Sequence, residues 1–461
     1  MMTSKKSIPI TIRSKTASSA LFVKRLIWLY FFLLLFEGAL RKWLLPGLSG
    51  PLLLIRDPIV LLIYAVALEN NFFPQNGFLT GCIVLAAVSA MVLCLQMITL
   101  ALPLKVLIYG LRTDFLHLPL IFLIPVFFKG EDLVRIGKWV LWISVPMAIL
   151  MAYQFRSGPD AWVNRTPGTG TGMQLESALG KIRPPGTFSF ITGPVSYFAL
   201  VTAFLGFALS NGRQFFPRWL VVVSTLASGG ALLVSGSRSM VLTVSFVWVA
   251  FVVGIVASRQ IAAGLWRIIL LLLCVAFVAA QIGQKEIFKE GTEVLSARFE
   301  AGSGSEKAVG GITGRFLDSL LDPLRSLTEV PLFGSGLGLG TNVGATITQG
   351  QMGFLLSEGE WGRMILEMGP ILGLAFIIYR VSLMIALGGR SLRCSRVGNL
   401  LPVLLWAACA TSIVSGQIGQ PTNLGFLVLI AGLTMSAIEM EPLSEVRPAE
   451  KRPRFTPRRF H

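Results

Sequence analysis

Apolar residues come in long, unbroken runs along this chain, without the alternation of a half-buried strand or the one-sided stripe of a water-soluble helix. Leu26–Leu45, Val221–Val234, Met240–Ala257 and Leu265–Gln281 approach the roughly 20 apolar residues that cross a bilayer as a helix. In lipid every backbone N–H and C=O must be paired inside its own segment, so a string of such runs predicts helices. The runs do not alternate over segments of about ten residues, which argues against a membrane β-barrel. Spans are predicted near 26–45, 52–68, 78–97, 106–128, 136–155, 187–209, 218–235, 239–257, 264–281, 362–387, 399–415 and 424–440, about twelve in all. The fourth is interrupted by Arg112, Asp114, Pro119 and Pro125 and reads as a broken helix or a re-entrant pair.

Composition strengthens this reading. Hydrophobic residues make up 54% of the chain and charged residues 14%, with a mean hydropathy of +0.72, too apolar for a soluble surface. The formal net charge of +17 would suit nucleic acid, but its placement argues otherwise. Lys5, Lys6, Arg13, Lys15, Lys24 and Arg25 precede the first span, and Arg447, Lys451, Arg452, Arg454, Arg458 and Arg459 follow the last. By the positive-inside rule both termini are cytoplasmic, which requires an even number of spans. The predicted organisation is a basic N-terminus (1–25), nine spans (26–281), a large external loop (282–360), three spans (361–440) and a basic tail (441–461). The run 26–45 is too long for the core of a cleavable leader. In the loop, Phe316, Leu317, Leu320, Leu321, Leu324 and Leu327 recur at helical spacing behind Thr313, predicting an amphipathic helix bent at Pro323 on the outer membrane face. Cys82, Cys94, Cys274, Cys394 and Cys409 lie in or beside apolar runs without metal-ligand spacing and read as core residues. The Asn164-Arg165-Thr166 sequon reads as chance.

Charges within or beside a span are costly and need a reason. Glu37 and Arg41, four apart, are expected to pair, and Arg56 and Asp57 open the second span in the same way; all four read as structural ion pairs. Three arginines sit at predicted external helix ends: Arg183 in Arg-Pro-Pro-Gly-Thr, Arg238 in Ser-Gly-Ser-Arg-Ser, and Arg315 after Gly314. Converging guanidinium groups hold phosphate oxygens in bidentate forks, so a pyrophosphate site is expected, against the blander reading of headgroup contact. The glycines from Gly334 to Gly340 bring backbone close to some neighbour, but match neither a P-loop nor a dinucleotide fingerprint. After them come Glu358, Glu360, Arg363 and Glu367. Glu358 and Glu360 are the candidate general bases, and Arg363 shares a helix face with Glu360 and Glu367. His117 lies in the broken span, and the other histidine is the last residue.

Taken in order, these motifs resemble the O-antigen ligase and O-antigen polymerase superfamily of bacterial inner-membrane glycan-transfer proteins. The resemblance runs from Arg183 to about Tyr379, through Ser237-Arg238-Ser239, Gly314-Arg315, the Gly334–Gly340 run and the helix near Glu367-Met368-Gly369. Phe36-Glu37-Gly38-Ala39-Leu40-Arg41-Lys42-Trp43 looks like a subgroup of such proteins. The resemblance implies a GT-C-like helical fold and a glycosyltransferase in exopolysaccharide or O-antigen synthesis. It implies an undecaprenyl-pyrophosphate-linked glycan donor, a glycan acceptor, neighbouring polysaccharide-assembly proteins, and no metal or cofactor. Arg183, Arg238, Arg315 and Arg363 would bind the pyrophosphate. Where ligases and many polymerases carry a histidine, this chain has Ser357-Glu358-Gly359-Glu360-Trp361, so either a carboxylate serves as base or the activity differs. The reading from another class is a transporter or flippase of an anionic or lipid-linked solute, which would gather Glu37, Arg41, Arg56, Asp57, Arg112 and Asp114 around a central cavity.

Overall fold

A computed structural model describes residues 10–168, 174, 176–210, 214–258, 286–303, 320–325, 327–350, 353 and 355–440. The chain enters through α1 (Ile10–Ala39), which ends in a π-turn at Leu40–Leu44, and returns through α2 (Asp57–Glu69) and α3 (Gly77–Thr99). The fourth span is broken, as its polar and proline residues predict: α4 (Leu104–Leu111) passes through a π-turn at Arg112–Leu116 into α5 (Leu120–Phe127). Then come α6 (Gly130–Arg156), α7 (Thr192–Leu209), α8 (Arg218–Val234) and α9 (Arg238–Ala257). The loop region contributes α10 (Glu286–Ser303) and α11 (Asn342–Gln349), followed by α12 (Glu360–Met368), α13 (Pro370–Arg396), α14 (Leu401–Ser415) and α15 (Pro421–Ile438).

Among the described residues no strand forms; the one β-bridge joins Glu176 to Ile182. Among the described residues nine helices are long and apolar enough to cross a membrane, and α8 and α14 are shorter apolar helices. The fold is therefore that of a polytopic membrane protein. The predicted ninth span, 264–281, and residue Arg315 lie outside the described residues, as do Thr313, Phe316 and Leu317 of the predicted amphipathic helix, of which 320–325 are helical.

Burial sorts the helices by depth. Helices α7 and α15 are the most enclosed, each with 83% of its apolar window buried, and the broken α4–α5 span follows at 72%. α15 packs on α5 so closely that a Cβ on Gly432 would stand 2.5 Å from Ile124. By contrast α3 keeps only 22% of its window buried and turns Ile83, Val84, Met91 and Ile98 outward, as a lipid-facing helix does.

One predicted span is divided. The run expected as 362–387 breaks at Gly369, whose φ of +84° suits glycine alone, and Pro370 restarts it as α13, which runs on to Arg396. A Cβ on Gly373 would lie 2.7 Å from Ile365, so the two pieces fold against each other. Hydropathy cannot register such a break, because both pieces are apolar on one face.

Candidate functional site

The segment between α6 and α7 carries Arg183 and is held from several sides. Gln154, on the last turn of α6, accepts from the Gly186 N–H at 2.8 Å and donates to the Gly186 and Val163 carbonyls, each at 3.2 Å. Lys42 is fully buried and donates to the same Gly186 carbonyl at 2.6 Å while its ammonium lies 4.4 Å from the centre of the Trp43 ring. Thr187 donates to the Leu35 carbonyl at 2.6 Å, Arg41 to the Ser189 hydroxyl at 3.3 Å, and a Cβ on Gly38 would meet the Thr187 carbonyl at 2.5 Å. The Glu37-to-Trp43 stretch is thus a brace: its glycine admits the loop, and its cations hold the loop's carbonyl and hydroxyl. Asn164, the residue of the sequon, is fully buried and its amide donates to Gln154, Ser157 and Gly158 carbonyls, so it is part of the same scaffold.

Two further arginines meet Arg183. Ser177 donates to the Gly236 carbonyl at 3.0 Å, tying the loop to the α8–α9 turn, where Ser237 caps α9 through the Met240 N–H. Gly236 has φ +53°, and a Cβ there would collide with the Ser177 hydroxyl. This turn fixes Arg238 at the first position of α9. From the other side α10 crosses the end of α8, with Gly291 against the Leu233 carbonyl and Val294 buried, and brings Arg298, whose guanidinium donates to the Ser177 carbonyl at 3.4 Å. Lys181 and Glu290 close this side at 3.0 Å.

The resulting cluster is Arg183, Arg238 and Arg298, all half-buried. Burial, then the charge of Arg298, then that of Arg238, hold the pKa of Arg183 below its ordinary value. Among the described residues the Nε atoms of Arg183 and Arg298 are buried without a hydrogen-bond partner. Like charges gathered with unanswered donors can hold an anion with several oxygens. Sequence reading singled out Arg183 and Arg238 from their turns; it missed Arg298, which lies inside an ordinary polar helix with no motif around it.

A second cluster is built on opposite terms. Arg363, on α12, donates to Glu360 (3.0 and 3.1 Å), Glu367 (2.8 Å) and Asp114 (2.8 Å). Arg380 on α13 donates to Glu360 at 2.8 Å and to the carbonyls of Ser412, Ile413 and Gly416. All five charged side chains are at most 4% exposed. The glycine run answers Glu367: Gly338 and Gly340 direct their N–H groups at its carboxylate, at 3.0 and 2.8 Å. Gly334, Gly336 and Gly338 all have positive φ, and Gly338 lies against Gly110 of α4. The run cradles an internal carboxylate in the manner of a backbone anion nest.

This placement bears on two expectations. Arg363 is saturated by carboxylates, which would repel a pyrophosphate. Both oxygens of Glu360 are engaged, one by Arg363 and the other by Arg363, Arg380 and the Ile418 N–H, so Glu360 holds the network together. Glu358 is exposed, on the rim of a small polar crevice with Ser357, Asn342 and Gln417.

Among the residues read as structural pairs, Glu37 lies between Arg41 (3.4 Å) and Arg56 (3.0 Å). Asp57 is paired differently from the expectation: it receives Arg112 and lies 3.0 Å from His117, not beside Arg56. His117 in turn reaches the Tyr30 hydroxyl at 3.1 Å. Set against models of known protein families and against curated protein sequences, the chain matches none.

Proposed function

We propose that the protein is a membrane glycosyltransferase that polymerises or transfers an oligosaccharide carried on undecaprenyl pyrophosphate, on the external face of a bacterial inner membrane. The observation that carries this reading is the cluster of Arg183, on its braced loop, with Arg238 of α9 and Arg298 of α10, two buried guanidinium Nε donors being unanswered among the described residues. In such a transfer the acceptor hydroxyl oxygen forms a bond to the anomeric carbon, and the bond from that carbon to pyrophosphate breaks. The electron pair leaves with the pyrophosphate, where three guanidinium groups neutralise it. Donors fixed in place before the reaction stabilise charge that develops in the transition state more than they stabilise the bound donor. Glu358, the exposed carboxylate, takes the hydroxyl proton.

Single replacement of Arg183, Arg238 or Arg298 by alanine tests this in cells, with membrane levels, surface polysaccharide and the sidedness of lipid-linked units all measured. Loss of polymer with externally oriented units building up supports transfer. Unchanged polymer from all three variants sinks it. The reading as a transporter or flippase draws on a different observation, the chain of polar groups from Asp57 through His117, Tyr30, Arg56 and Glu37 to Arg41 inside the apolar bundle. It is favoured if the units accumulate facing the cytoplasm.

A further inference from the structure

At the far end of α6, about 40 Å along its axis from the arginine-bearing loop, lies a cleft of about 850 Å³. Its lining combines Lys129, Arg135 and Lys138 with Glu131, Glu439 and the apolar Val134, Phe215 and Met440. The charges are not equivalent. Lys129 reaches Glu439 at 3.7 Å and the Pro125 carbonyl at 2.8 Å, and Asp132 below it is taken by Lys24 at 2.7 Å. Arg135 and Lys138 are exposed, and among the described residues neither forms an ion pair.

Those two cations stand at the head of an apolar stripe. Residues 135, 138, 139, 142, 149 and 153 fall on one face of α6, and of these Trp139, Trp142, Ile149 and Tyr153 are 44, 58, 65 and 63% exposed. A stripe of that length on a spanning helix faces acyl chains, and two unpaired cations above it meet the headgroup layer.

We propose that this cleft binds the phosphate headgroup of an anionic phospholipid, Arg135 and Lys138 holding the phosphate and the Trp139–Trp142 face receiving an acyl chain. The site is independent of the arginine cluster and of the activity proposed for it. Chain and charge are both required, so phosphatidylglycerol should bind where neither phosphatidylethanolamine nor inorganic phosphate does.

The test uses the full chain, purified in detergent and stripped of lipid, with bound lipid counted by native mass spectrometry as phosphatidylglycerol is titrated. The wild-type protein should retain one phosphatidylglycerol at concentrations where phosphatidylethanolamine is lost. The double variant Arg135→Gln/Lys138→Gln should bind it at least tenfold more weakly. The charge-preserving variant Arg135→Lys/Lys138→Arg should remain within about threefold of wild type, which separates loss of charge from misfolding. Competition by millimolar inorganic phosphate would make this a soluble-anion site and overturn the lipid assignment. Equal retention of phosphatidylethanolamine would overturn it too, as would undiminished binding in the glutamine variant.

Discussion

The two arginine clusters of this protein are built from the same side chain and differ in what surrounds it. Around Arg363 three carboxylates, three backbone N–H groups and a second arginine form a closed network with no more than 4% exposure at any charged member, and one carboxylate oxygen, Asp114 Oδ2, has no hydrogen-bond partner among the described residues. Around Arg183 the neighbours are two more arginines, and donors are left over. Buried charge that is matched by opposite charge locks elements together; charge gathered beside like charge can instead meet an anion from outside. Emptying the closed network should have the largest effect. Arg363→Met leaves Asp114, Glu360 and Glu367 facing one another with only Arg380 nearby, and removal of one partner from a buried pair costs about 3–5 kcal/mol. The variant should accumulate poorly and unfold at a much lower temperature. Normal levels and an unchanged melting temperature would make the network dispensable.

At the open cluster the sign reverses. Arg183→Ala removes a cation from beside two others, so the protein's melting temperature should be unchanged or slightly higher while glycan transfer is lost. Binding can be read without the glycan donor: inorganic pyrophosphate should raise the melting temperature of the wild type. A ligand at 100 times its dissociation constant stabilises by about 2.7 kcal/mol. Arg183→Ala/Arg298→Ala should show no such rise, and a rise equal to that of the wild type would place the anion elsewhere.

How legible these regions were follows from what each depends on. Hydropathy marks the spans because lipid imposes one requirement on all of them, and the polar and proline residues of the fourth correctly mark its break at Arg112–Leu116. Turn chemistry singled out Arg183 and Arg238. The closed network was only half visible: Glu360, Arg363 and Glu367 share a helix face, but Asp114 arrives from 249 residues away and Arg380 from the next helix. Without those partners Glu360 looked available as a base. The glycine run announced a close approach without saying to what; the answer, Glu367 and Gly110, is set by tertiary packing. Arg298 gave no signal, since an arginine in a polar helix is ordinary until the helix crosses another.

The brace around the loop predicts an effect of intermediate size. Gln154→Ala deletes the bonds to Gly186 and Val163 and leaves the Gly186 N–H buried without a partner, a cost of about 2 kcal/mol. Activity should fall further than stability does, because Arg183 stands three residues from the released glycine. A loss of transfer no larger than the loss of folded protein would mean that the loop needs no brace.

The smallest effect is expected at the rim, where Lys181 of the loop meets Glu290 of α10 at 3.0 Å with side chains 29 and 43% exposed. An ion pair so open to solvent contributes less than about 1 kcal/mol, so Lys181→Ala should scarcely move the melting temperature. The pair nevertheless joins the segment that carries Arg183 to the helix that carries Arg298. Pyrophosphate affinity should therefore drop a few-fold in Lys181→Ala and recover in the swap Lys181→Glu/Glu290→Lys, which restores the pair with its charges exchanged. If the swap binds as weakly as the single variant, Lys181 acts through its own positive charge on the anion and not by holding α10 in place.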